Sequence, residues 1–184
     1  ITTDRTNLYA VDMANNLVRK IVISTGVVST FAGTGSSGSS NGTGTSASFN
    51  LPVGITTDGT NLYVADTDNH LIRMIVISTG VVTTIAGTGS SGSSNGTGTS
   101  ASFNLPRGIT TDGTNLYVGD GNNHLVRKIV ISTGVVTTIA GTGTAGSSNG
   151  TGTSASFNTP YGVTTDGTNL YVTEFGNHLI RKIE

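Results

Sequence analysis

The sequence predicts an all-β protein: a β-propeller built of four-stranded antiparallel blades, with three complete blades and one incomplete blade. Three observations predict it. Ile-Thr-Thr-Asp at Ile1–Asp4 returns at Ile55–Asp58 and Ile109–Asp112, and as Val-Thr-Thr-Asp at Val163–Asp166, always at the same interval. A fixed period of this size marks a repeat architecture. Short runs rich in Val, Ile, Thr and Tyr lie between Asp-Gly and Ser-Thr-Gly turn signals in the second and third units, with Asp4-Arg5 at the first turn of the first. Finally, no stretch has helical spacing, and Gly and Thr are too dense for a helix to survive, so none is expected.

The second unit shows each element in order. Gly54–Thr57 is a short β-branched run ended by Asp58-Gly59, a hairpin turn signal. Asn61–Asp66 alternates Leu62 and Val64 against Tyr63 and Ala65, the period of a half-buried strand. Thr67-Asp68-Asn69 breaks it. His70–Ile77 is apolar on nearly every position, which predicts a strand covered on both faces. Ser78-Thr79-Gly80 turns the chain, and Val81–Ala86 forms the fourth strand. From Gly87 to Leu105 the composition of Thr, Ser, Gly and Asn predicts a surface loop between blades. Phe49, Phe103 and Phe157, one per loop, are expected to pin it into the groove between neighbouring blades; sugar-stacking platforms are the alternative.

A sheet of this size cannot bury both faces alone, but stacked copies can. The chain is therefore one repeat domain with units at 1–54, 55–108, 109–162 and a partial unit at 163–184. A stacked β-solenoid is the alternative architecture, disfavoured because its coils are shorter and lack hairpin turns. The last unit ends before its Val-Val-Thr-Thr, which leaves the edge of Leu179–Ile183 open to pairing. The chain reads as a segment of something longer. An open arc of four blades should join a larger ring or associate end to end into an oligomer or filament.

Composition narrows the function. Charged residues are 10% of the chain, Gly numbers 27, Cys is absent and the net charge is −1. That balance lacks the footprint of a nucleic-acid binder. Without Cys there are no disulfides and no thiolate metal sites. No apolar run is long enough to span a membrane. A low-charge chain rich in Thr, Ser, Gly and Asn suggests an extracellular or cell-surface setting.

Several segments together carry a family resemblance. They are Leu62-Tyr63-Val64-Ala65-Asp66, Asn69-His70-Leu71, Ile72-Arg73, Val82–Gly87 and Ala101–Pro106. In combination they resemble the NHL repeat, named for Asn-His-Leu, over nearly the whole chain. The resemblance implies a propeller, most often six-bladed, used mainly for recognition. The first copy departs from the pattern, with Asn16 where the others have His70, His124 and His178.

Most candidate chemistry has a structural explanation. The three histidines occupy one repeat position and would stand apart around a ring, so no metal site is expected. Asp4, Asp58, Asp112 and Asp166 close the first strand, where Asp caps its own turn. Asp12, Asp66, Asp120 and Glu174 close the second and can pair with Arg19, Arg73, Arg127 and Arg181. Either series could instead bind a cation at the channel mouth. Gly87-Thr88-Gly89-Ser90-Ser91-Gly92 matches the spacing of a dinucleotide loop, but no helix follows to hold a pyrophosphate. Asn41, Asn95 and Asn149 begin Asn-Gly-Thr glycosylation patterns, with unmodified loop as the default. No catalytic residues and no cofactor are expected, because near-identical blades offer no single asymmetric site. A lyase- or lactonase-like activity, which the resemblance also admits, ranks last.

The repeats differ mainly at one end of the blade. The first-to-second and third-to-fourth turns hardly vary. The opposite end changes: Val53, Arg107 and Tyr161 follow the loop proline, and Met13-Ala14 becomes Thr67-Asp68, Gly121-Asn122 and Phe175-Gly176. Diversity on one end of a constant frame is how repeat scaffolds make binding surfaces. Met13, Val53, Thr67, Asp68, Arg107, Asn122, Tyr161 and Phe175 are therefore the candidate binding face. The expected function is a non-enzymatic module that binds a protein or glycan; the alternative is a structural subunit of an extracellular filament or surface layer.

Overall fold

The computed structural model describes residues 1–184. Its strands follow the turn signals closely. Blade 1 contains β1 (Thr2–Thr3), β2 (Asn7–Asp12), β3 (Leu17–Val22) and β4 (Val28–Ala32), followed by the loop strand β5 (Gly42–Thr43). Blade 2 contains β6 (Gly54–Thr57), β7 (Asn61–Asp66), β8 (Leu71–Val76) and β9 (Val81–Ala86), followed by β10 (Gly96–Thr97). Blade 3 contains β11 (Pro106–Thr111), β12 (Asn115–Asp120), β13 (Leu125–Val130) and β14 (Val135–Ala140). Blade 4 contains β15 (Pro160–Thr165), β16 (Leu170–Glu174) and β17 (Leu179–Ile183). The protein is an all-β propeller of four antiparallel sheets with 4, 5, 5 and 3 strands.

Three features differ from the sequence expectation. The third strand begins at Leu71 and not His70, because His70 takes the left-handed conformation with φ 56°. The loops are not wholly irregular: β5 pairs with β9 of the following blade, and β10 with β14, giving blades 2 and 3 a fifth strand. There is no α-helix, but six single-turn 3-10 helices occur where none was expected, such as Thr67–Asn69 and Gly98–Ser100. Single turns this short need no helical propensity.

Adjacent blades stack through apolar cores. Tyr9, Val18 and Phe49 meet Leu62, Val64 and Ile75 between blades 1 and 2. Tyr63, Ile72 and Phe103 meet Leu116, Val118 and Ile129 between blades 2 and 3, and Val126 and Phe157 meet Val172 between blades 3 and 4. The three phenylalanines are buried, and each sits beneath an arginine of the following blade. Glycine lets the inner strands approach: a Cβ on Gly54 would run into the Arg107 carbonyl, and one on Gly108 into the Tyr161 carbonyl. The outermost faces have no neighbour. Ile180 is 74% exposed where Val18, Ile72 and Val126 are 0%, and Val28 is 54% exposed where Val82 and Val136 are 1%.

Candidate binding face

The repeated polar residues form a scaffold inside the blades. Asp66 Oδ1 accepts the Asn50 N–H at 2.8 Å, while Oδ2 accepts Asn69 Nδ2 at 2.8 Å and Arg73 Nη1 at 2.9 Å. Arg73 also donates to the Ser48 and Ser40 carbonyls and to Asn41 Oδ1, and its Cζ lies 5.5 Å from the Phe49 ring centre. One arginine thus ties a blade to the loop entering it. Arg127 and Arg181 repeat the arrangement with Asp120 and Glu174. Burial pushes the Asp66 and Asp120 carboxyls up, against the pull of the Asn50 and Asn104 N–H groups, Asn69 and Asn123, and the paired arginines. Asn41, Asn95 and Asn149 are exposed, but each carboxamide oxygen accepts an arginine of the next blade.

The histidines clamp blade to blade. His70 Nδ1 accepts the Leu105 N–H at 3.1 Å, and His124 Nδ1 accepts the Thr159 N–H at 3.1 Å. Asn16, the departure in the first copy, does the same work: its Oδ1 accepts the Leu51 N–H at 2.8 Å. Asn tolerates the left-handed conformation that this position requires, with φ 55°. His178 is exposed at the equivalent place in blade 4.

The first-turn aspartates are saturated by their own turns. Asp58 accepts from the Thr60 and Asn61 N–H groups, from Asn61 Nδ2 and from the Tyr63 hydroxyl at 2.7 Å. At Asp4 and Asp112 partial burial works upward, yet the matching bonds from Asn7 or Asn115, the turn N–H groups and the tyrosine hydroxyl outweigh it. Both carboxyls are held down at about 2. Burial and the partner carboxylate push Tyr9 up to about 12. No three His, Asp or Glu side chains gather in a metal-holding group.

The variable end presents a different surface. Arg107 is the second residue of β11 in blade 3, and its Cζ stands 5.1 Å from the Tyr161 ring centre on blade 4. Tyr161 lies 6.1 Å from Phe175, with rings tilted by 36°. Phe175 is 70% exposed and Tyr161 39%. Unlike Arg73, Arg127 and Arg181, Arg107 has no carboxylate partner; its buried Nε lacks a hydrogen-bond acceptor, as do those of Arg73 and Arg127. Gly121 makes room for it: a Cβ there would lie 3.0 Å from Arg107 Nε and 2.9 Å from the Leu105 carbonyl.

The remaining candidates divide. Met13, Asp68 and Asn122 are exposed on blades 1, 2 and 3, and Val53 is half-buried. Thr67 turns inward instead: it is 3% exposed, and its hydroxyl donates to the Pro106 carbonyl at 2.7 Å. Thr67 thus joins blades 2 and 3 and offers almost no surface. The contiguous part of the face is Arg107, Tyr161 and Phe175.

Comparison with known proteins fits this geometry. No protein-family model matches the chain. A curated relative, NHL repeat-containing protein 2 of Bos taurus, is 33% identical over 142 residues, covering 71% of this chain and 20% of its own length. Two further proteins of that name match at 32% and 38% identity. The chain belongs to the NHL-repeat family. It spans a fifth or less of the three NHL proteins it matches, from 13% to 20% of their length. Among solved structures, a Bacteroides thetaiotaomicron protein of unknown function superposes with TM-score 0.79 at 27% identity, over 96% of this chain and 44% of that one. An auxiliary nutrient binding protein from Bacteroides ovatus superposes with TM-score 0.73 at 22% identity, over 97% and 45%. The latter likeness shows the propeller fold alone.

Proposed function

We propose that this chain is a non-enzymatic recognition module that binds a protein or glycan ligand at the variable end of its blades. The observation that carries the proposal is the Arg107–Tyr161–Phe175 cluster. Aromatic and arginine side chains dominate binding hot spots, and here a guanidinium without a carboxylate partner adjoins two exposed rings. The same residues are those in which the repeats diverge, while every repeat keeps an acid–arginine pair and a His or Asn at the clamp position. The low charge and the Gly, Ser, Thr and Asn content favour an extracellular or surface setting. The test is a screen of the full chain against arrayed glycans and peptides, repeated with Met13→Thr, Arg107→Val, Tyr161→Val and Phe175→Thr combined. The introduced residues are those found at the equivalent positions, Val53 and Thr67. Ligand capture should be lost while thermal stability stays nearly unchanged; retained capture of a verified ligand would show that the variation is neutral.

A second reading rests on the bare outer faces. Val28 on blade 1 and Ile180 on blade 4 are exposed where their counterparts between blades are buried. Apolar faces of matching type at the two ends favour heterologous association, which gives a larger ring or a filament. Light scattering should report particles heavier than a single chain as concentration rises. A particle of one-chain mass at every concentration would remove this reading.

A further inference from the structure

We propose that the Arg107–Tyr161–Phe175 surface is a site for a sugar acid: a glycan whose carboxylate pairs with the Arg107 guanidinium while its ring lies against the exposed aromatics. The inference rests on the recognition reading above and names its ligand. Arg19, Arg73, Arg127 and Arg181 each meet a carboxylate oxygen at 2.7–3.3 Å. Arg107 meets none, and no side chain or carbonyl of the chain accepts from its guanidinium.

The guanidinium is nevertheless held in place. Its Cζ stands 5.1 Å from the Tyr161 ring centre, and its Nε is buried. A Cβ on Gly121 would lie 3.0 Å from Arg107 Nε and 3.2 Å from Cδ, so the Met13, Thr67 or Phe175 of the other blades would displace the side chain if placed there. Blade 3 alone sets a long residue after the loop proline beside a glycine in the turn. With Nε buried, the two Nη groups are left for an acceptor, and the paired oxygens of a carboxylate match that fork.

Charge and shape select the ligand. Among the residues in which the repeats diverge at this end, Arg107 is the only cation and Asp68 the only other charge. One negative group is therefore matched, whereas a nucleic acid or a heavily sulfated chain needs several cations. The four principal cavities of the chain lie elsewhere, so the rings form an open platform and not the pocket that a peptide's anchoring side chain fills. Tyr161 and Phe175, 6.1 Å apart, offer apolar area to the C–H face of a sugar ring while its hydroxyls stay in water. Met13, the counterpart of Phe175 in blade 1, is 48% exposed with blade 2 beside it, so a long side chain here stands out even next to a following blade. Asn122, exposed beside Gly121, adds amide donors and an acceptor for those hydroxyls.

The probes are short oligomers of galacturonate and of glucuronate, their methyl esters, and peptides bearing Asp, Glu or a free C-terminal carboxylate, titrated by calorimetry into the full chain. Saturable binding of a sugar acid is expected, about tenfold or more tighter than its uncharged ester. Arg107→Lys keeps the charge but not the fork and should weaken that binding about tenfold. Arg107→Val should abolish it. Both variants should keep a Tm near that of the native chain, since Arg107 makes no hydrogen bond within the fold. Equal affinity for acid and ester, undiminished binding to Arg107→Lys, or binding confined to the peptides would overturn the sugar-acid assignment and leave the recognition reading standing. Failure of every probe would also overturn the assignment, and the recognition reading falls with it only if the glycan and peptide arrays are empty too.

Discussion

Arg73 and its three counterparts provide a graded test of the fold, because one side chain sits in four environments. Replacing Arg73 with Met keeps the stem over Phe49 and removes the guanidinium. Asp66 is then left buried with its charge unpaired, and the Ser40 and Ser48 carbonyls lose a donor. Breaking a fully buried pair costs about 3–5 kcal/mol. For a domain of this size each kcal/mol lowers Tm by about 2–4 °C, so Arg73→Met should lower it by roughly 6–20 °C. Arg127→Met should match it, since both side chains of that pair are also 0% exposed. Arg181→Met should cost less, with its arginine 12% exposed. Arg19 bonds only Asp12, at 3.3 Å, with side chains 32% and 28% exposed, and its loss should cost about 0–1 kcal/mol. Thermal and urea denaturation followed by circular dichroism would rank the four. Equal losses at Arg19 and Arg73 would refute the claim that neighbouring blades and loops bury the pairs.

Three further outcomes follow from the same geometry. Gly54→Ala should destabilise by about 1–3 kcal/mol, because its Cβ meets backbone of the next blade, whereas Gly162→Ala meets only the Thr173 side chain and should cost less; urea midpoints compare them. His70→Asn should be close to neutral, as Asn16 shows, while His70→Ala should lose about 1 kcal/mol for the bond to the Leu105 N–H, read by the same assay. Asp112 is held at about 2 in the fold and lies near 3.9 unfolded, so its stabilisation is complete above about pH 4 and drains away as pH falls towards 2. Asp112→Asn should flatten that part of the acid limb in stability measured from pH 7 to pH 2, and an unchanged slope would contradict the assignment.

Much of the fold was legible because its signals are local. The alternation in Asn61–Asp66 and the Asp-Gly and Ser-Thr-Gly turns marked those strand limits directly. The charge pairing of Asp66 with Arg73 could also be anticipated from their places on neighbouring strands. What escaped depends on neighbours distant in sequence. Gly42-Thr43 becomes a strand only because Val81 and Val82 of the next blade pair with it. Thr67 looked like a variable surface residue, yet the Pro106 carbonyl draws it inward. The stack of Arg107 on Tyr161 joins two blades, and Gly121 is the one sequence sign that space was reserved for the arginine.

Chemical-shift mapping by NMR, with a ligand recovered from the arrays titrated into the full chain, tests the recognition proposal most directly. The account predicts that the largest shifts fall on Arg107, Tyr161, Phe175 and the adjoining turn at Asn122. Shifts centred on the constant turns at Asp58–Asn61 and Ser78–Gly80 would place binding at the opposite end and contradict it.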